Sequence, residues 1–130
     1  MKYILFVCTE NSARSQMAEA LFNFHNKNSQ FKAISAGTSP GKIVKAGAVH
    51  AIKEIGIDIS QNKPKALTPK MAKDAYRIYT MGCSEGCPMT PPEKTEDWAL
   101  EDPGGKPIEK FREVRDEIER RVKELVSELQ

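Results

Sequence analysis

The feature that most constrains the fold is a short apolar run at the N-terminus that leads through a polar loop into an amphipathic helix. Residues 3–7 are continuously apolar and β-prone, which predicts a strand buried on both faces, as in a parallel sheet. Residues 15–26 have helical periodicity. The predicted buried face of this helix comprises Met17, Ala20, Leu21 and Phe24. A buried strand followed by a helix indicates an α/β fold.

The rest of the chain continues to alternate strands and helices. Residues 31–36 and 75–81 are predicted strands, and a weaker signal near Trp98 indicates a short fourth strand. Residues 48–55 have helical spacing, and Gly56 stands where a helix needs its C-terminal cap. Thr68 and Pro69 predict the start of a further, short helix. A last helix is predicted from a stripe of Phe111, Val114, Ile118, Val122, Leu125 and Leu129. We therefore expect one domain over residues 1–130, with parallel strands and right-handed crossovers.

The composition is that of an ordinary globular protein, with 39% hydrophobic and 29% charged residues. The net charge is only +2, from 20 Lys and Arg against 18 Asp and Glu. This balance gives no electrostatic reason to expect nucleic acid or an anionic membrane as a partner. The apolar run from Ile4 to Cys8 is too short for a signal peptide or a membrane span, so we expect a cytoplasmic protein.

The loop between the first strand and helix has the composition of an oxyanion site with its own nucleophile. Backbone N–H groups converge in such a turn, and the helix behind them adds the positive end of its dipole. Arg14 can hold two oxygens of the anion, while the positive surroundings and the Ser15 hydroxyl favour the thiolate of Cys8. The predicted oxyanion-binding residues are Thr9, Glu10, Asn11, Ser12, Ala13, Arg14 and Ser15. The alternative is a buried cysteine followed by an arginine that faces solvent.

The loop resembles that of the low-molecular-weight protein tyrosine phosphatase superfamily, in which Cys-x5-Arg-Ser follows the first strand. Further matches cover residues 17–20, 35–37 and 56–60, so the resemblance extends over the whole chain. It implies a three-layer α/β fold with a four-stranded parallel sheet in the order 2-1-3-4, flanked by helices. Strands 1 and 3 are then neighbours at a topological switch point, where ligands bind in open α/β sheets.

Two further cysteines follow the third predicted strand. Cys83 lies two residues beyond it, close enough for modest loop movement to bring it to Cys8, and Cys87 lies four residues later in a glycine-flanked loop. Three such thiols suggest successive disulfide exchange. Alternatives are a zinc site, for which His25 and His50 are the available histidines, or two inert loop cysteines.

Residues 87–92, Cys-Pro-Met-Thr-Pro-Pro, resemble the thioredoxin-coupled arsenate reductases of this superfamily. The resemblance implies that Cys8 attacks arsenate, that Cys83 then forms a disulfide with Cys8 and releases arsenite, and that Cys87 passes the disulfide on to thioredoxin or a similar reductant. The superfamily pattern also implies that Asp102 is the general acid. The alternative is that Asp102 only forms a turn before Pro103. Gly104 and Gly105 replace the usual tyrosine pair, which favours a small inorganic substrate.

In the reductases, residues matching Asn11, Glu19 and Ser35 bind a potassium ion together with an aspartate. Lys65 stands where that aspartate is expected, and its ammonium group is a substitute for the ion, so we predict no metal or cofactor requirement beyond the external reductant. Two other functions compete with arsenate reduction. One is a low-molecular-weight phosphatase whose extra thiols protect Cys8 from over-oxidation, and the other is a phosphate-binding regulatory module without turnover.

Overall fold

The computed structural model describes residues 1–82 and 90–130. Its four strands are β1 (Lys2–Cys8), β2 (Phe31–Gly37), β3 (Ala75–Thr80) and β4 (Thr95–Asp97). Its α-helices are α1 (Arg14–His25), α2 (Ala46–Lys53), α3 (Pro69–Asp74) and α4 (Ile108–Glu128), and a 3-10 turn spans Pro92–Lys94. The strands form a parallel sheet in the order β2-β1-β3-β4, which confirms the predicted fold class and strand order.

The sheet register brings the carboxyl end of β1 between the ends of its two neighbours. Cys8 pairs with Gly37 of β2, and Val7 pairs with Thr80 of β3. Because the chain leaves β1 towards β2 on one side and reaches β3 on the other, a crevice opens beyond Cys8 at this edge. The fold therefore places the N-terminal loop at the topological switch point.

Side chains of β1 alternate between two hydrophobic clusters, which is why its whole central run is apolar. Ile4 and Phe6 belong to the larger cluster, which includes residues of α1, α2 and α4. Leu5 and Val7 belong to the smaller cluster, with Ala72 of α3. The side chains of these four residues are fully buried, so the strand is a rigid support for the loop that follows it.

The predicted buried face of α1 is wrong for Phe24, while Ala20 packs against the core at its edge. Met17 and Leu21 are buried as expected, but Phe24 is 54% exposed and Ala20 is only partly buried. Ala18 and Phe22 are buried instead, and the Phe22 ring packs against Phe6 with centroids 6.3 Å apart. Both stripes have helical spacing, and simultaneous packing of α1 on the sheet and on α4 selects the second one.

The other helix signals agree with the structure. The Thr68 side chain accepts a hydrogen bond from the Met71 N–H at 3.2 Å and caps α3, with Pro69 in the first turn. Gly56 has a φ of 96° just beyond α2, a conformation that favours glycine. All six apolar residues of the predicted α4 stripe are buried. Within the described ranges, no helix is both long and apolar enough to cross a membrane.

Candidate active site

The loop from Cys8 to Ser15 is held from behind by backbone hydrogen bonds to its carbonyl oxygens. The N–H groups of residues 38, 39, 41 and 45 donate to the carbonyls of Cys8, Thr9, Glu10 and Ser12 over 2.8–3.2 Å. The loop carbonyls therefore bond to the segment after β2. In the described part of the chain, no protein acceptor bonds to the backbone N–H of Thr9, Glu10, Ser12 or Ala13. Together with the N–H groups of the first turn of α1, these donors are available to an anion, as at other helix N-termini.

Two hydrogen bonds reach the sulfur of Cys8, one from a side chain and one from the backbone. The Lys65 N–H donates to Asn11 Oδ1 at 2.9 Å, which fixes the Asn11 amide so that its Nδ2 donates to Ser15 Oγ at 2.7 Å. Ser15 Oγ lies 2.9 Å from Cys8 Sγ, and its hydroxyl proton is available to a thiolate there. The Asn11 N–H donates to the same sulfur at 3.2 Å. Two hydrogen-bonding groups therefore hold this buried sulfur in place.

Asn11 is the structural centre of the loop. It is fully buried and has a φ of 52°, a left-handed conformation that asparagine tolerates better than most residues. The side chain of Gln16, also fully buried, donates to Asn11 Oδ1 at 3.0 Å and to the Asn11 carbonyl at 3.2 Å. Asn62 in turn donates to Gln16 Oε1 at 3.2 Å. Gln16 and Asn62 were not predicted as site residues, and the signal that could have revealed Gln16 is a polar residue beside Met17 on a buried helix face.

Gly37 is required because the loop approaches β2 closely. A Cβ atom at residue 37 would lie 2.7 Å from the Thr9 carbonyl oxygen and 2.9 Å from the Asn11 nitrogen, both backbone atoms. We predict that Gly37→Ala lowers the free energy of unfolding by about 2 kcal/mol and weakens binding of inorganic phosphate. Urea unfolding and calorimetric titration measure the two effects. Gly41→Ala is the matched control, since its Cβ would lie 3.2 Å from the flexible Glu10 carboxylate and no closer than 3.8 Å to any other atom. Equal losses in both variants would contradict the prediction.

Arg14 does not face solvent, which excludes the alternative of a solvent-facing arginine. Its side chain is 7% exposed, and its Nη1 donates to the carbonyl oxygens of Met81, Leu100 at 3.0 Å and Gly82 at 3.4 Å. Nη2 lies 3.7 Å from Asp102 Oδ2. With Nη1 committed to carbonyls, the Nε–Nη2 edge of the guanidinium is the one suited to a bidentate oxyanion.

Arg14→Lys tests this division of the guanidinium. Lysine keeps the charge but cannot bond three carbonyls and two oxyanion oxygens at once, so we predict about a 100-fold loss of turnover. Steady-state kinetics with arsenate measures the loss, and thermal unfolding reports the loss of the carbonyl contacts. If the lysine variant keeps full activity, positive charge alone is sufficient and the bidentate role of Arg14 is wrong.

Two aspartates lie beside Arg14. The side chain of Asp102 is 53% exposed, and its Oδ1 accepts the Gly104 N–H at 2.9 Å, so it forms the turn before Gly104 while Oδ2 faces Arg14. Asp97, at the end of β4, accepts hydrogen bonds from Thr80 Oγ1 at 2.8 Å and from Gly82 N at 2.9 Å. Burial alone would raise the pKa of Asp97, but these bonds and one from Ala99, with the charge of Arg14, hold it below its usual value. Asp97 was not predicted, and its position at the carboxyl edge of the sheet is the signal for it.

Cys83 and Cys87 lie outside the described residues, so the choice among relay, zinc site and inert cysteines stays where the sequence leaves it. His25 and His50, the histidines available for zinc, lie 2.8 Å from Glu119 and 3.3 Å from Glu54, respectively. Among residues 1–82 and 90–130, no cluster of three or more His, Cys, Asp or Glu side chains is arranged to hold a metal ion.

The residues implied for potassium do not fit a free cation in this chain. Glu19 Oε1 accepts the Ser35 hydroxyl at 2.7 Å and lies 3.7 Å from Lys65 Nζ. Asn11 Oδ1 already accepts two hydrogen bonds, from Lys65 N and from Gln16. The lysine ammonium would repel a metal cation at this position. The oxygen atoms that would coordinate such a cation, Glu19 Oε1 and Asn11 Oδ1, already accept hydrogen bonds from the protein.

Comparisons with known proteins agree with this architecture. The family model for low molecular weight phosphotyrosine protein phosphatase matches residues 3–130. Arsenate reductase 2 of Staphylococcus saprophyticus is 38% identical over 127 residues, which are 95% of each chain. A solved arsenate reductase in its phosphate-binding state is 34% identical, covers all of both chains and has a TM-score of 0.85. An arginine phosphatase from Geobacillus stearothermophilus is 29% identical and covers 100% of this chain and 94% of its own, with a TM-score of 0.88. This chain belongs to the low molecular weight phosphotyrosine protein phosphatase family.

Proposed function

We propose that this protein reduces arsenate to arsenite, with Cys8 as nucleophile and Cys83 and Cys87 as the redox pair. The observation that carries the proposal is the position of Gly82, whose carbonyl oxygen lies 3.4 Å from Arg14 Nη1. Cys83 follows Gly82 directly in the sequence, so a second thiol is one residue away from a contact of the oxyanion-loop arginine. A relay uses such a thiol in every turnover, whereas a phosphatase would use it only to protect Cys8 from over-oxidation. Relatives at 38% identity over nearly the whole chain are arsenate reductases.

In the first step, the Cys8 thiolate attacks arsenic while the loop N–H groups and Arg14 hold the arsenate oxygens. A sulfur–arsenic bond forms and an arsenic–oxygen bond breaks. Asp102 supplies the proton with which that oxygen leaves as water. The Ser15 hydroxyl and the Asn11 N–H hydrogen-bond this sulfur and hold it in position for the attack.

In the second step, the Cys83 thiolate attacks the sulfur of Cys8. A disulfide forms, the sulfur–arsenic bond breaks, and its electron pair reduces arsenic from the +5 to the +3 state, so arsenite leaves. Cys87 then attacks Cys83, which frees the Cys8 thiolate and leaves a Cys83–Cys87 disulfide. An external dithiol of the thioredoxin type returns both cysteines to thiols by supplying two electrons.

The proposal is tested by offering the reduced protein two substrates under the same conditions. Arsenate with thioredoxin, its reductase and NADPH should give oxidation of NADPH that depends on arsenate, while an aryl phosphate should be hydrolysed slowly. Rapid ester hydrolysis without oxidation of the reductant supports the phosphatase instead. Binding of phosphate with neither activity supports the regulatory module.

The phosphatase remains the second candidate because the same loop geometry suits attack on phosphorus. A solved low molecular weight protein tyrosine phosphatase from T. tengcongensis shares the fold with a TM-score of 0.86 and 30% identity. The difference lies around the loop, where Gly104 and Gly105 offer no aromatic surface to a phosphotyrosyl ring.

Asp102→Asn tests the general acid. The amide keeps the shape and its acceptor for the Gly104 N–H, but it has no proton of suitable acidity to give, so we predict about a 100-fold lower rate of arsenate reduction. A stopped-flow measurement of the first turnover isolates this step from recycling by the reductant. Glu101→Gln, on the neighbouring residue, is the control. An unchanged first-turnover rate in Asp102→Asn would leave Asp102 with its turn-forming role alone.

A further inference from the structure

We infer that the ammonium group of Lys65 serves as a built-in cation that neutralises Glu19 behind the oxyanion loop, so that the site binds oxyanions without a monovalent metal ion. The inference rests on the proposed function only in taking residues 8–15 as the oxyanion site. Lys65 is a positioning residue, because it acts on the loop through Glu19 and Asn11.

Glu19 lies beside the loop by helix geometry. It follows Ser15 by four residues on α1, and residues with this spacing share one face of a helix. Its side chain is 19% exposed, and the hydroxyl of the fully buried Ser35 donates to its Oε1 at 2.7 Å. A carboxylate in this position is partly desolvated and needs a compensating positive charge.

An unpaired carboxylate here would also act against the chemistry of the loop. It would repel both the oxyanion and the thiolate that Ser15 and Asn11 stabilise. Lys65 Nζ lies 3.7 Å from Glu19 Oε1 and is the cation that the described structure places against this carboxylate. The positive charge of Lys65 therefore offsets the only negative charge that α1 brings next to the loop.

The backbone of Lys65 fixes where this charge lies. Its N–H donates to Asn11 Oδ1 at 2.9 Å, and its carbonyl oxygen accepts the Gly37 N–H at 2.8 Å. Lys65 is thus attached by its main chain to the centre of the loop and to the end of β2. A cation delivered in this way is present at any salt concentration, unlike an ion that must be captured from solution.

The test is the affinity for inorganic phosphate, which does not depend on arsenate turnover. Lys65→Met keeps the length of the side chain and removes its charge, and we expect the dissociation constant to rise about fourfold. Lys65→Arg should keep the affinity of the natural protein. Lys70→Met is the matched control, since Lys70 is 86% exposed, pairs with Asp74 at 2.8 Å and lies on α3. Adding Glu19→Gln to Lys65→Met should restore the affinity, because glutamine still accepts the Ser35 hydroxyl without a charge.

Cation replacement completes the test. At constant ionic strength, the natural protein should bind phosphate equally well in potassium, sodium and choline chloride. Tighter phosphate binding in potassium than in choline would overturn the inference. It would also be overturned if the double variant, Glu19→Gln with Lys65→Met, bound phosphate as weakly as Lys65→Met alone. Failure of arsenate reduction with the predicted phosphate affinities would instead count against the proposed function alone.

Discussion

Cys8→Ser is expected to lower the rate of arsenate reduction by at least about 10⁴-fold while leaving the binding of inorganic phosphate nearly intact. The serine hydroxyl stays protonated at neutral pH and cannot form the disulfide on which the cycle depends. The loop N–H groups and Arg14 do not need the sulfur, so the anion site is preserved. Oxidation of NADPH in the coupled assay and calorimetric titration with phosphate measure the two properties.

Cys87→Ser is the control for Cys8→Ser, because it removes a thiol that lies outside residues 8–15 of the loop. It should still release arsenite in the first turnover. If Cys8→Ser released arsenite in the first turnover as fast as Cys87→Ser did, the nucleophile would be another residue. A complete loss of phosphate binding in Cys8→Ser would show that the variant disturbs the loop and not only the chemistry.

Cys83→Ser is expected to lower steady-state arsenate reduction by about 10³-fold or more, because no other thiol follows β3 so directly. The first step should survive in this variant, since Cys8 is the only thiol that this step uses. Rapid quenching should therefore find arsenate consumed without release of arsenite. Hydrolysis of an aryl phosphate, which needs only the first thiol, should change less than about twofold.

The relay would be wrong if Cys83→Ser continued to turn over with thioredoxin. It would also be wrong if ester hydrolysis fell in parallel with arsenate reduction, since a common loss means that residue 83 supports the shape of the loop. The two substrates report on the same Cys8 and Arg14, so their ratio separates redox chemistry from structural damage.

The sequence was sufficient to predict the order of the strands and the position of the loop. The apolar run of β1 and the stripe of α4 are strong signals because residues 4–7 of β1 and all six stripe residues of α4 are buried. Helix α1 shows the limit of this reasoning. Two overlapping apolar stripes are compatible with a helix here, and the exposure of Phe24 depends on how α1 meets α4, which only the tertiary structure decides.

The support of the loop was harder to predict than its reactive residues. Cys8, Arg14 and Ser15 follow from the chemistry of an anion site, but Gln16 and Asn62 bond Asn11 from a helix and from a distant segment. Such polar contacts depend on where backbone N–H and C=O groups end up, and a linear pattern does not contain that information. Lys65 lies between these two cases. The sequence predicted that its ammonium group replaces an ion, but the ion pair with Glu19 is formed only when the fold brings the two residues together.

An arginine phosphatase and an arsenate reductase both share this fold, so the loop by itself does not determine which reaction is catalysed. The loop would bind phosphate and arsenate alike, because both are tetrahedral oxyanions of similar charge. What distinguishes a reductase is the fate of the Cys8 adduct, which either meets water or meets a second thiol. Reduction of arsenate by this protein depends on the second outcome.

The most direct measurement is therefore a single turnover of Cys87→Ser with one equivalent of arsenate and no external reductant. The proposed relay predicts one equivalent of arsenite and a disulfide between Cys8 and Cys83, identified by mass spectrometry of the alkylated, digested protein. Arsenate recovered unchanged, or arsenite formed while Cys83 stays a free thiol, would contradict it.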